Sequence, residues 1–192
     1  MNKGRIEAFS DGVLAIIITI MVLELKVPHG DGPAALIPLI PVFLSYVLSF
    51  VMVGIYWNNH HHMFQAVHHV GGWVLWANLH LLFWLSLLPF TTAFVGENEF
   101  ANFPMALYAL DLLMCGFAYN LLERALIAQH GKGSDFAKSL GNRAKDTLSI
   151  LAYLAALPLA FVFNWGALAL VVAVAVLWIV PDRRFAKPST GA

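Results

Sequence analysis

Charge is scarce in this chain. Of its 192 residues only 11% are Asp, Glu, Lys or Arg, whereas 60% are hydrophobic. Soluble domains carry about 25% charged residues, and a soluble monomer of this size would have too few of them to cover its surface. The same figures exclude intrinsic disorder. Cysteine is almost missing: Cys115 stands alone, which rules out an internal disulfide and a cysteine-rich metal site. No sign of charge prevails, because 11 basic residues balance 11 acidic ones. A nucleic-acid binder driven by phosphate neutralisation is therefore excluded. The chain has neither an internal repeat nor a low-complexity tract. What it has in abundance is long uncharged runs, the mark of a polytopic membrane protein.

Those runs place the spans. Gly32 to Gly96 contains no Asp, Glu, Lys or Arg. One helix needs ~20 residues to cross, so this run holds two. The polar stretch Asn58–His69 followed by Gly71-Gly72 is the expected cut. Thr147–Pro181 is also uncharged and divides at Asn164-Trp165-Gly166. Another span is interrupted by Asp111. The first segment has an uncharged centre, Gly12–Leu23, that is too short by itself and needs Asp11 and Glu24 near the interfaces. It lacks a signal peptide's cleavage site. The expectation is an all-α fold, one transmembrane domain over residues 1–192, with six helices near 5–27, 35–57, 72–95, 102–123, 147–163 and 166–180.

Orientation follows from the basic residues. Lys3, Arg5, Arg124, Lys132, Lys138, Arg143, Lys145, Arg183, Arg184 and Lys187 fall on one side, and only Lys26 on the other. The positive-inside rule then predicts cytoplasmic termini. Asp31, Glu97 and Glu99 face outward, and the tail 187–192 is expected to fray.

The first helix departs from ordinary membrane filler. A polar cluster, Arg5 to Asp11, opens it, and isoleucine fills four of five positions from Ile16 to Ile20. At ~100° per residue, Ile16, Ile20 and Leu23 share a stripe about 60° wide, Thr19 borders it, and Asp11 falls roughly opposite. An intramembrane carboxylate normally has a partner. Two readings are open at this level: a stripe facing an axis with Asp11 turned into the protein, or a lipid-facing stripe with Ser10 or Asp11 as an N-cap.

Arg5-x-x-x-Phe9-Ser10-Asp11-Gly12, the apolar run and Leu23-Glu24 resemble the signature of the transmembrane-protein-175 potassium channels. Trp57-x-Asn59-His60-His61-x-x-Phe64 is similar as well, as are Asn78 and Ser86-x-x-Pro89-Phe90-x-Thr92. The likeness covers residues 5–92, and beyond that rests on helix count and length. It implies a homotetramer of the single-repeat bacterial type whose first helices line the pore. It implies apolar rings at Ile16, Ile20 and Leu23 in place of a carbonyl filter, with Ile16 the narrowest. It also implies a polar network of Ser10 and Asp11 with His60, His61 and Asn78. Thr19 beside the stripe would add a hydroxyl ring. Glu24 would draw cations to the outer mouth, and Arg5 would pair with Asp11 or Glu7 of another helix or subunit. The resemblance implies potassium as the permeant ion, and no cofactor is expected. Membrane lipid is the only other expected partner, in the cell membrane.

The remaining polar features have plainer readings. His60, His61 and His62 with His68 and His69 invite a metal reading, and His61 and His68 would share a helical face. The segment lacks carboxylates and cysteines, so no metal site is expected. A pH-sensitive loop fits histidine chemistry better. Asn120, Glu123 and Arg124 look like an interfacial cap, and the prolines Pro38, Pro41, Pro89 and Pro158 should kink their helices. The rival class is an ion-coupled transporter using Asp11, Asp111 and the histidines, against which stands the absence of repeats. No nucleophile, base and acid converge as an enzyme requires.

Overall fold

A computed structural model describes residues 3–67, 69–131, 133–134, 136–137 and 143–179. Among them there is no β-strand. The helices are α1 (Lys3–Leu23), α2 (Ile40–Gln65), α3 (Gly72–Leu85), α4 (Leu88–Glu97), α5 (Asn102–His130), α6 (Ala144–Val162) and α7 (Asn164–Ile179), with a 3-10 helix at Pro33–Leu39. Five stretches are long and apolar enough to cross a membrane: α1, the 3-10 helix with α2, α3 with α4, α5, and α6. The sixth apolar helix, α7, is 16 residues long, ~24 Å at the usual rise. Several basic residues used for orientation (Lys132, Lys138, Arg183, Arg184, Lys187), His68 and the tail lie outside the described residues.

The boundaries correct the sequence reading in four places. First, α1 stops at Leu23, so Glu24 follows the helix instead of ending it. Second, the cut is narrower than Asn58–His69 suggested, because α2 continues to Gln65 before α3 starts at Gly72. Histidine and asparagine are tolerated there because helical backbone bonds remain intact, and the side chains find partners. Third, α5 runs on to His130, where Gly131 at φ +91 ends it, so Asn120 and Glu123 are mid-helix and cap nothing. Fourth, two of the prolines, Pro41 and Pro89, mark helix starts. Pro41 lies in the first turn of α2, where a missing N–H costs nothing. Pro38 belongs to the 3-10 helix.

Pro89 also opens a helix, and here it divides a span. Without its N–H the ladder cannot continue, so Leu87 N bonds Trp84 O in a tighter turn before α4 resumes. The α4–α5 turn has Glu99 and Phe100 at positive φ, 50° and 59°. It is held by Phe100 N to Val95 O at 2.9 Å and by Asn164 Nδ2 to Phe100 O at 2.8 Å.

In the bundle α5 is the hub, flanked by α3, α4, α6 and α7, whereas α1 packs on α2, α4 and α3. Small residues bring helices close, as membrane packing requires. A Cβ on Gly96 of α4 would lie 2.8 Å from Val42 Cα of α2, so only glycine permits that approach. At the same end of the bundle Lys26 and Glu97 pair across 3.1 Å.

Candidate functional site

The first helix divides sharply into two faces. Ile6, Ser10, Leu14, Ile17 and Met21 are buried against the neighbouring helices. Ile16, Ile20 and Leu23 are 57%, 42% and 78% exposed, so the chain itself leaves this stripe uncovered. Spacing explains the division. The buried set advances by three or four residues and makes a stripe of its own, turned ~110° from the exposed one.

The buried face is held at two levels. Near its start, His60 Nε2–H donates to Asn78 Oδ1 at 2.8 Å, and Asn78 Nδ2 donates to Ser10 Oγ at 2.9 Å. The directions are forced, because an amide oxygen only accepts. All three residues are buried, so α1, α2 and α3 meet through a satisfied polar chain. Phe64 stacks on His60 with ring centres 4.5 Å apart, fixing its orientation. Nearer its end, Met21 Sδ lies 3.9 Å from Thr92 Oγ1, which donates to Ser49 Oγ at 2.6 Å. Ser49 Oγ in turn shares a hydrogen with the Tyr108 hydroxyl at 2.8 Å. This outer chain reaches from α1 through α4 and α2 to α5, and no spacing rule foretold it.

The other residues singled out in the sequence go elsewhere. Asp11 is exposed and turned away from the Ser10–Asn78–His60 chain. Trp57 Nε1 donates to Asp11 Oδ1 at 3.0 Å. His61 stacks on the Trp57 ring and contacts Gln65 Nε2 at 2.8 Å, outside the buried chain. Arg5 is exposed and makes no ion pair with Asp11 or Glu7 within one chain. Thr19 Oγ1 donates to Ile16 O at 2.9 Å beside the exposed stripe. Glu24 is exposed just past α1. Asp111 is buried, accepting from Thr91 Oγ1 at 2.8 Å, with Cys115 Sγ 4.0 Å away. Its partners are neutral hydroxyl and thiol groups rather than a cation.

Five membrane-length apolar helices and an uncovered apolar stripe on a braced helix define a multi-pass helical membrane protein. The sequence model of the endosomal/lysosomal potassium channel TMEM175 family matches residues 5–89, the segment that contains both α1 and its inner brace. A potassium channel of Chryseobacterium sp. (strain P1-3) is 50% identical over 187 residues, 97% of each chain. A potassium channel of Streptomyces collinus is 37% identical over 131 residues, 64% of each chain. The fold matches the crystal structure of a lysosomal potassium-selective channel TMEM175 homolog from Chamaesiphon minutus. The TM-score is 0.79 at 28% identity, over 93% of this chain and 96% of that one. The chain belongs to the TMEM175 family.

Proposed function

We propose that the chain is one subunit of a homotetrameric, potassium-permeable channel, with α1 of each subunit at the central axis. The observation that carries this reading is the division of α1: an uncovered Ile16–Ile20–Leu23 stripe on a helix whose other face is braced by buried polar chains. The potassium channels among its relatives support it.

Four copies of the stripe form an apolar constriction about 10 Å long from Ile16 to Leu23. Such a constriction gates by sterics and by dewetting. A passing cation gives up water there, and potassium holds its water less tightly than sodium. Thr19 adds to this preference. Its hydroxyl proton is committed to Ile16 O, so the oxygen lone pairs are what it offers a cation. Glu24, exposed beyond the helix, makes the outer mouth attractive to cations. The distribution of basic residues along the sequence supports cytoplasmic termini in this reading, with the cell membrane as the site of action.

The test is recording from purified protein in planar bilayers. Unitary current steps carried by potassium are expected, and Ile16→Asn should raise sodium permeability by wetting the constriction. An unchanged permeability ratio removes Ile16 from the filter. Slow saturable flux without steps would place the protein among coupled transporters.

A further inference from the structure

His69 and His130 are distant in sequence, yet their rings stand 4.9 Å apart, centre to centre, at an angle of 45°. They meet where the connection after α2 enters α3 and where α5 ends. His130 Nδ1 lies 3.0 Å from Leu126 O. A carbonyl only accepts, so the proton of the neutral ring is on Nδ1, and Nε2 carries a bare lone pair. That Nε2 is buried and has no hydrogen-bond partner among the described residues. Buried Phe136 packs 6.4 Å from the His130 ring and helps to hold it.

The second histidine is held through its backbone. Gln129, the neighbour of His130, donates through Nε2 to His69 O at 2.8 Å and accepts from Gly71 N at 2.7 Å. One side chain therefore clamps the backbone on both sides of Val70. His69 itself is exposed, whereas His130 is half-buried, so solvent reaches the pair from the His69 side.

We propose that His69 and His130 bind a divalent transition-metal ion of the zinc class, with solvent completing the coordination shell. Three features converge on this reading, which does not depend on the channel function. Donation of Nδ1–H to a backbone carbonyl is how metal-bound imidazoles are commonly oriented. With metal–nitrogen bonds of about 2.0–2.1 Å and tetrahedral angles, two coordinated rings have centres roughly 5 Å apart, and these stand at 4.9 Å. Neutral imidazole suits zinc, copper and nickel, whereas magnesium and calcium need oxygen ligands. No group of three His, Cys, Asp or Glu ligands exists among the described residues. The site is accordingly open and weaker than a closed structural zinc site. A bound ion would tie the start of α3, the helix that carries Asn78, to the end of α5.

The experiment is equilibrium dialysis of the untagged, detergent-solubilised full chain against zinc alone, with bound metal counted by mass spectrometry. One ion per chain is expected in the micromolar range. His69→Gln and His130→Gln should each weaken it by at least about tenfold, since loss of a ligand costs more than loss of its outer support. A His61→Gln, His62→Gln double variant should retain it. His69 is exposed, so its variant decides the matter even where His130→Gln fails to fold. Zinc should also raise the unfolding temperature of the parent and not of His69→Gln, because binding only the native state stabilises it. Absence of binding to the parent, undiminished binding to His69→Gln, or loss of binding through His61 and His62 would each overturn the proposal.

Discussion

Asn78 Nδ2 donates to Ser10 Oγ across 2.9 Å, and both residues are buried. This bond, continued by His60 on α2, fixes where the first helix stands against the second and third. Asn78→Ala should therefore leave Ser10 and His60 together without their shared partner. Each buried group left unsatisfied costs about 1–3 kcal/mol. Ser10→Ala removes one end of the chain and should cost less. The two substitutions act on one network, so a double-mutant cycle should show coupling of about 0.5–3 kcal/mol. Thermal unfolding in detergent, with both single variants and the double variant, measures it.

Ile16 and Ile17 are neighbours with opposite surroundings, 57% and 3% exposed. Ile17→Ala empties a packed position and should destabilise the subunit by about 2–5 kcal/mol. Ile16→Ala removes nothing that one chain packs against. Its effect should fall on ion permeation, with subunit stability little changed. Parallel bilayer recordings and unfolding curves separate the two, and a large stability loss at Ile16 alone would place that residue against other parts of its own subunit.

Arg143 Nη2 reaches both Glu123 Oε2 and Asn120 Oδ1 at 2.8 Å. The Glu123 side chain is 2% exposed and that of Arg143 is 33% exposed. The pair is thus asymmetric. Arg143→Ala takes the guanidinium from a buried carboxylate and should cost about 3–5 kcal/mol. Glu123→Gln leaves the cation with access to water and should cost less. Unfolding midpoints of both variants check the order.

Asp111 accepts from Thr91 inside the bundle. Asp111→Asn keeps an oxygen acceptor there and should leave channel currents at the parent level. Asp111→Leu removes the acceptor, leaves the Thr91 hydroxyl only the Leu87 and Leu88 carbonyls 3.4 Å away, and should lower stability by about 1 kcal/mol. Loss of ion flux in the asparagine variant, with the fold intact, would instead give the carboxylate the coupling role that a transporter needs.

Much of the architecture was legible in the chain because membranes impose length and polarity rules on helices. The uncharged runs located the apolar segments, and helical periodicity grouped Ile16, Ile20 and Leu23. The errors fell where side-chain partners override local polarity. Asn58 to Gln65 read as a connection, but His60 is buried and satisfied by Asn78, so α2 continues through it. Asn120 and Glu123 read as a cap, but Arg143 from the start of α6 satisfies them in mid-helix. Asp11 was open between an inward group and an N-cap, and Trp57 meets it on the exposed flank.

Composition and periodicity alone determined that this is a multi-pass helical membrane protein whose first helix has two unlike faces, because both are properties of local stretches of chain. Which residues meet across helices was decided only by tertiary packing. His69 finds His130, Ser10 finds Asn78, and Thr92 finds Ser49 through helix placement, and no sequence interval encodes those distances.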